Sequence, residues 1–245
     1  MSTKGRNSSN GYHAPCTFLS DYIIHEGKWL RLSEIKYLDP HGRERCWETV
    51  TKLAKPKEND TDTVSAIAIY RRLLHYDVIV MVRQFRPPLN AYTVEFPAGL
   101  LDSGESCEQA AIRKLREETG WHGEVTHASD LLAVDAGCSS AVMRYATVKI
   151  NGDSTDNLMC KPIIGIDNEF VDVLMIPVTE LHERLSALSR EGNIVDSRVE
   201  AFAIGLQMGL KFAQDARKDA ASSQQASLPL DGSCVRTGLG TKQTT

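Results

Sequence analysis

The chain has 245 residues, of which 42% are hydrophobic and 24% are charged, and its formal net charge is −4. This length allows one large domain or two small ones, and the apolar content supports a packed core. The negative balance argues against a nucleic-acid partner, which would need a basic surface. No run of about 18 consecutive apolar residues occurs, so we expect no membrane partner.

The six cysteines are scattered and show none of the spacings of a metal site or a paired redox motif. Free thiols in a reducing compartment explain this usage most simply. The polar N-terminal region has no apolar signal segment. We therefore expect a cytoplasmic protein, with the nucleus as a second compartment.

Four segments are predicted in chain order. Residues 1–15, which are rich in Ser, Asn and Gly, are expected to form a flexible tail. Residues 16–55 are expected to form a small β unit, in which a turn at residues 39–42 separates two strands. Residues 56–214 mix strand and helix patterns and predict the main α/β domain. Residues 215–245 lose all periodicity and are expected to form a disordered tail.

Within the main domain, β-branched apolar runs predict core strands over residues 64–70 and 77–84. Helical periodicity predicts helices over residues 178–190 and 197–214. The segment 153–168 is long and irregular, which is typical of a loop that is either disordered or functional.

The stretch from Gly99 to Trp121 predicts a loop followed by a helix. Ser106 and Gln109 have the spacing of a capping box at a helix start, and Gly120 stands where a left-handed C-cap belongs. Between these ends, apolar residues recur at helical spacing and predict a stripe that faces the core.

Adjacent carboxylates, Glu117 and Glu118, occupy the polar side of this predicted helix. Beside a glycine-bracketed loop they suit a hard cation, because Mg²⁺ is usually held by one or two carboxylates together with water and phosphate oxygens. We therefore expect Mg²⁺ as cofactor, with Mn²⁺ as a second candidate. The alternative is an exposed helix face whose charges simply pair with one another.

The spacing resembles the Nudix box, in which a glycine, five residues, a glutamate and seven residues precede Arg-Glu-apolar-any-Glu-Glu-any-Gly-apolar. The matching positions are Gly99, Glu105, Arg113, Leu115, Glu117, Glu118, Gly120 and Trp121. The glutamate expected after the arginine is replaced by Lys114. The resemblance implies an α/β fold, the Nudix α/β/α sandwich, preceded by a small N-terminal antiparallel β unit.

The resemblance extends beyond the box to the animal ADP-sugar pyrophosphatases of the Nudix superfamily. The segments that carry it are EGKW at 26–29, CWETV at 46–50, RQFRPP at 83–88 and EFPAGLLD at 95–102. It implies Mg²⁺-dependent hydrolysis of a nucleoside diphosphate sugar, ADP-ribose or a related ADP-sugar, to AMP and a sugar phosphate. It also implies a homodimer in which the N-terminal β unit, residues 16–55, reaches across to the partner.

The same resemblance assigns roles in substrate binding. Trp29 and Trp47 resemble a pair of indoles that sandwiches the adenine, and stacking is worth about 1–3 kcal/mol per base in other systems. Glu48 would accept a hydrogen bond from the adenine amino group. Arg86 would meet the diphosphate through its planar guanidinium, together with Lys52, which stands where relatives usually carry arginine.

Leu100 and Asp135 would line the ribose side, although Asp135 also suits a plain turn. The metal ligands that the resemblance implies are the carbonyl oxygen of Ala98 and the carboxylates of Glu117, Glu118 and Glu169. These three glutamates are also the expected catalytic residues. Glu169 follows the irregular segment 153–168, so a loop that closes over the substrate would deliver it.

Lys114 stands where the family has a metal ligand, and the change shifts the local charge by two units. An ammonium near a divalent ion on the same helix face costs on the order of several kcal/mol at an effective dielectric of about 20. Three outcomes stay open: catalysis with fewer metal ions, direct phosphate binding by the lysine, or nucleotide binding without catalysis. Arg113 and Lys114 also have the spacing to pair with Glu117 and Glu118.

The retained glutamates favour a hydrolase of ADP-sugars that Lys114 weakens. The alternative is a degenerate Nudix module that binds ADP-ribose or a related nucleotide as a sensor or scaffold. A third possibility keeps the mechanism but changes the base, as in UDP-sugars or oxidised nucleotides. The two tryptophans and Glu48 favour adenine among these bases.

Overall fold

The computed structural model describes residues 14–53, 61–160 and 171–226, with side chains up to residue 218. These residues form two compact units, one ending at Glu200 and the other beginning at Ala201. The expected tail at residues 1–13 lies outside the described residues. None of the helices in the described ranges combines the length and apolarity that a bilayer crossing requires.

The N-terminal sheet is antiparallel, and its strands are β1 (Thr17–Glu26), β2 (Leu30–Leu38) and β3 (Glu44–Lys52), in that order. The predicted turn between β2 and β3 is confirmed, since the Asp39 carboxylate accepts two backbone N–H groups of the turn and Gly42 has φ +74°. The sequence indicated two strands here, and β1 adds a third. A short turn after Glu26 separates β1 from β2, so the first predicted strand is in fact a hairpin.

The second sheet is mixed and contains nine strands of the described chain. They are β4 (Thr63–Arg71), β5 (Val78–Arg86), β6 (Ala91–Glu95), β7 (Ala98–Leu100), β8 (Glu124–Ala128), β9 (Leu132–Ala133), β10 (Val142–Asn151), β11 (Val171–Pro177) and β12 (Ile194–Val195). The main order is β12-β6-β5-β4-β10-β8, and β7, β9 and β11 pair with β4, β10 and β5. The central β4–β10 pair is parallel. The predicted core strands β4 and β5 are confirmed.

The described residues form four helices: α1 (Cys107–Thr119), α2 (Thr155–Leu158), α3 (Leu181–Arg190) and α4 (Ser197–Ala226). The segment that was expected to be irregular thus contains the short helix α2. Helix α3 begins later than predicted, because residues 178–180 form a 3₁₀ turn after Pro177.

Helix α4 extends beyond Gln214, so the prediction of disorder from residue 215 is wrong for residues 215–226. These residues are mostly Ala, Gln, Lys, Arg and Asp, without Gly or Pro, and most of these side chains favour helix. The apolar stripe ends near residue 214, but the helix continues because these residues have high helix propensity. Residues 227–245 lie outside the described residues.

Helix α1 is held on the second sheet by its apolar stripe. Ala110, Ala111 and Leu115 are buried in one cluster with Val64 of β4 and Val148 of β10. Burial of a single leucine side chain contributes about 1.5–3 kcal/mol. Both predicted ends are confirmed: the capping box at Ser106 is complete, and Gly120 has φ +81°. The core therefore fixes the helix that carries the two adjacent carboxylates.

Candidate active site

Arg113 ties the loop before α1 to the helix. Its Nε and Nη2 donate to the two carboxylate oxygens of Glu105, each at 2.7 Å, and Nη2 also donates to the Leu100 carbonyl at 3.1 Å. Its Nη1 lies 3.3 Å from Glu117 Oε1. The hydrogen bonds from Arg113 hold the pKa of Glu105 below its ordinary value. One guanidinium therefore fixes the geometry of the whole segment.

Lys114 lies inside this cluster, and its side chain is only 26% exposed. Its Nζ is 2.9 Å from Glu117 Oε2, three residues along the helix, whereas the expected i,i+4 spacing would have paired it with Glu118. The Arg113–Glu117 pair does have the expected i,i+4 spacing. The aliphatic stem lies against Gly99, where a Cβ would come within 2.3–2.6 Å of three lysine carbons. A larger residue at position 99 would therefore displace the lysine stem.

Glu117 is paired through both oxygens. Partial burial tends to raise its pKa, but Lys114 and Arg113 outweigh this effect and hold the pKa of Glu117 below its ordinary value. A carboxylate held ionised in this way is a suitable ligand for a cation, but a cation that binds it competes with two resident positive side chains.

The remaining candidate metal donors are few. Glu118 follows on the same helix with its Oε2 buried, and Ala98 begins β7 opposite Ser65 of β4. Within the described ranges, no group of three or more His, Cys, Asp or Glu side chains is arranged to hold a metal ion. Glu169 lies outside the described residues. These donors fit a hard cation that completes its shell with water and phosphate oxygens, and not a closed protein cage.

Trp29 and Trp47 are exposed, at 63% and 52%, but Trp29 lies at one end of the β2–β3 pair and Trp47 lies near its middle. The Trp29 carbonyl accepts from Leu53 N at 2.9 Å, whereas Trp47 faces Ile35. Leu53 and Trp47 are six residues apart, which corresponds to about 20 Å of strand. Within one chain the two indoles are therefore not arranged as a sandwich.

A loop of the second sheet docks onto β3 beside Trp47. Trp47 Nε1 donates to the Gly137 carbonyl at 2.9 Å, and Val50 N donates to the Cys138 carbonyl at 2.8 Å. Asp135 shapes this loop, since its Oδ1 accepts from Gly137 N and its backbone carbonyl accepts from Ser139 N. Asp135 is thus a turn residue in this structure, and it lies in the same region as Trp47.

Cys138 Sγ lies 2.9 Å from Asp135 Oδ2. This hydrogen bond raises the pKa of the Cys138 thiol, which keeps the thiol protonated and able to donate. The same contact gives the second carboxylate oxygen of Asp135 a partner within the loop.

Arg86 forms a bidentate ion pair with Glu95, with nitrogen–oxygen distances of 2.7 and 2.6 Å. Thr93 Oγ1 also donates to Glu95. Burial tends to raise the pKa of Glu95, but the hydrogen bonds from Arg86 and Thr93 outweigh it and hold that pKa below its ordinary value. Arg86 is therefore oriented by its own chain, while its side chain stays 44% exposed.

The other predicted substrate residues are exposed. Glu48 follows Trp47 on β3, and Lys52 ends β3 opposite Leu30, next to Trp29. Leu100 is 44% exposed beside the box loop. The structure thus groups Lys52 with Trp29 and groups Glu48 and Asp135 with Trp47.

Sequence reasoning missed three contributors: the Glu95 partner of Arg86, the Gly137 carbonyl that binds Trp47, and the contact of Gly99 with Lys114. Their signals in the sequence are weak, because each contact joins residues whose proximity depends on strand pairing or helix docking. Arg113 and Glu105 were recognised as motif positions, but their mutual contact was not predicted.

The family model of the NUDIX domain matches the sequence over residues 59–196, which is more than half of the chain. The chain therefore belongs to the Nudix family of hydrolases. Over 201 residues it is 43% identical to the ADP-sugar pyrophosphatase of Mus musculus, covering 82% of this chain and 90% of that protein. Over 191 residues it is 31% identical to the ADP-ribose pyrophosphatase of Saccharomyces cerevisiae, covering 76% and 80%.

The fold is similar to that of a crystal structure of an ADP compounds hydrolase, with a TM-score of 0.53 over 83% of this chain and 97% of the other. At 16% identity this likeness concerns the fold alone. The predicted α/β architecture with a small antiparallel N-terminal sheet is confirmed.

We expect Arg113→Ala to destabilise the protein by about 1–3 kcal/mol, because it leaves Glu105 and the Leu100 carbonyl without their main donor. Urea unfolding monitored by circular dichroism measures the change. Arg116→Ala, at an exposed position of the same helix, is the matched control and should change stability by less than about 0.5 kcal/mol. Equal effects of the two substitutions would contradict the central role of Arg113.

Glu95→Gln should lower the free energy of unfolding at neutral pH, and the difference between the variant and the wild type should disappear in acid. Because the pKa of Glu95 is lowered from 4.5 in the folded protein, its stabilisation is present above that value and disappears as pH falls through the folded pKa. The measurement is the difference in unfolding free energy between wild type and variant at about pH 7 and about pH 3. A difference that does not change with pH would refute this account, and Glu124→Gln at an exposed position serves as control.

Proposed function

We propose that this Nudix hydrolase cleaves the diphosphate bond of ADP-ribose and related ADP-sugars, releasing AMP and a sugar phosphate. The observation that carries the proposal is the assembled box segment, in which Arg113 holds the loop against α1 and Glu117 and Glu118 stand next to Lys114. The substrate class is supported by the 43% identity to the mouse ADP-sugar pyrophosphatase.

Mg²⁺, or Mn²⁺ in its place, is the proposed cofactor. The residues that would hold it are Glu118, Glu117 and the Ala98 carbonyl, with Glu169 as a further ligand and catalytic residue. When bound, a divalent ion neutralises diphosphate charge and lowers the pKa of an attacking water. Arg86, oriented by Glu95, and Lys52 would bind the phosphate oxygens, and Leu100 and Asp135 would border the ribose.

A homodimer would complete the adenine slot. The indoles of one chain lie about 20 Å of strand apart, so a slot with one indole on each face of the base is better built from Trp29 of one copy and Trp47 of another. The surface of β1 supports this assembly, because all ten of its residues are exposed. Phe18, Tyr22 and Ile23 are 64%, 68% and 47% exposed, and several large apolar side chains exposed on one strand support an interaction site there.

We further propose that the protein works in the cytoplasm, with the nucleus as a second compartment, and needs neither a nucleic-acid nor a membrane partner. The net charge of −4 supports the absence of a nucleic-acid partner. The scattered cysteines support a reducing compartment, and the cysteines of the described residues are free thiols.

A second candidate function is nucleotide binding without hydrolysis, as a sensor or scaffold. The observation that favours it is the pairing of both Glu117 oxygens with Arg113 and Lys114, which occupies one candidate metal ligand. The hydrolase remains the better supported of the two, because Glu118 is retained in its box position.

The decisive experiment measures AMP release from ADP-ribose with Mg²⁺. We expect measurable turnover by the wild type and an increase of about tenfold or more in Lys114→Glu, since about 1.4 kcal/mol of restored transition-state stabilisation gives that factor. Arg116→Glu, with the same charge change elsewhere on α1, should leave turnover unchanged. Binding of ADP-ribose by calorimetry without any turnover would replace the hydrolase with the sensor.

The two-chain slot predicts complementation between tryptophan variants. Trp29→Ala and Trp47→Ala should each raise KM for ADP-ribose at least about fivefold, with less effect on kcat, because one stacking surface is lost. Unfolding and refolding the two variants together should restore a population of sites with wild-type KM, since a mixed dimer contains one intact slot. Trp47→Phe, which keeps an aromatic face, is the control. A mixture with only the KM values of its parents would exclude a shared slot.

A further inference from the structure

We infer that the Lys114 ammonium is a built-in cation of the box, so that the chain takes up fewer divalent ions than it would with a carboxylate at this position. The inference rests on the proposed function, because it concerns the number of cations that the same site needs. Three observations support it: the position of the lysine stem, the ion pair of its ammonium and the arrangement of the surrounding charges.

The stem of Lys114 packs on Gly99. Three of its carbons lie where a side chain at residue 99 would stand, so a larger residue at that position would displace the lysine stem. The side chain is 26% exposed although it carries a charge, whereas Arg116 on the same helix is exposed. Packing of the stem on Gly99 of β7 determines where the ammonium at its end can reach.

The ammonium is directed into the carboxylate cluster. It contacts Glu117 at 2.9 Å, and its charge contributes to the lowered pKa of Glu105 on the preceding loop. Glu118 is one helical turn from Lys114 on the same face. The positive charge therefore lies close to the carboxylates that a divalent ion would use.

Charge arithmetic gives the consequence. The cluster contains four carboxylates, Asp102, Glu105, Glu117 and Glu118, and two cations, Arg113 and Lys114, so its formal charge is −2. A glutamate at position 114 would make it −4. Like charges at this distance repel strongly in a partly desolvated site, so the ammonium and a second divalent ion exclude one another. Phosphate oxygens of a substrate would meet one permanent monovalent charge there, supplied by the protein.

The test counts Mn²⁺ ions bound to the free protein by the electron paramagnetic resonance signal of unbound Mn²⁺. We expect Lys114→Glu to bind one more ion per chain than the wild type. Lys114→Met keeps an apolar stem on Gly99 but removes the charge, and it should bind Mn²⁺ at least about tenfold more tightly than the wild type. Lys114→Arg keeps the charge and should resemble the wild type.

Arg116→Glu is the matched control, because it introduces the same charge change at an exposed position of α1. It should leave the number of bound ions unchanged. Equal stoichiometry in Lys114→Glu and wild type, unchanged or weaker binding by Lys114→Met, or an equal gain in Arg116→Glu would each overturn the inference. Circular dichroism of every variant establishes that the counts refer to folded protein.

These measurements use neither substrate nor turnover, so they separate the inference from the proposed function. A protein with the expected ion counts but no ADP-ribose hydrolysis would retain the built-in cation and lose the enzymatic role. A protein that hydrolyses ADP-ribose but has equal ion counts in wild type and Lys114→Glu would retain the enzyme and lose the built-in cation.

Discussion

The arrangement of the site depends on one guanidinium. Arg113 reaches forward to Glu117 on its own helix and back to Glu105 and the Leu100 carbonyl on the preceding loop. A loop with glycines at both ends has no rigidity of its own, so these contacts give it a single conformation. Arginine suits this task better than lysine, because its planar fork binds a carboxylate through two parallel hydrogen bonds and still has donors for other partners.

The contacts of Arg113 can fix the loop because α1 is itself packed firmly on the second sheet. The buried residues Ala110, Ala111 and Leu115 pack the helix on β4 and β10, and the strand order places these two strands in the interior of the sheet. Close packing resists small displacements, and a ligand set for a divalent ion needs that resistance. The packing of the apolar face therefore fixes the positions of the charged side chains on the polar face.

Local signals in the sequence predicted α1 well, since the capping box and Gly120 act within a few residues of each other. The local signals were insufficient where an element depends on strand pairing, or where a segment has high helix propensity but no apolar stripe. Strand β1 was merged with its neighbour, and α4 was cut short because residues 215–226 have no apolar stripe although they favour helix. The motif likewise marked Trp29 and Trp47 as a pair, but their separation follows from the register of β2 and β3, which a linear motif does not encode.

The substituted box position illustrates the same difference between a motif and its geometry. Compared with glutamate, lysine has two further methylene groups and the opposite charge, so in isolation it would disrupt a metal site. In the structure, Gly99 accepts the longer stem and Glu117 accepts the ammonium, so the substituted residue has both a packing surface and a counter-charge. These two contacts hold the ammonium at this position of the box, so the protein itself places a positive charge beside the carboxylates before any phosphate or divalent ion binds.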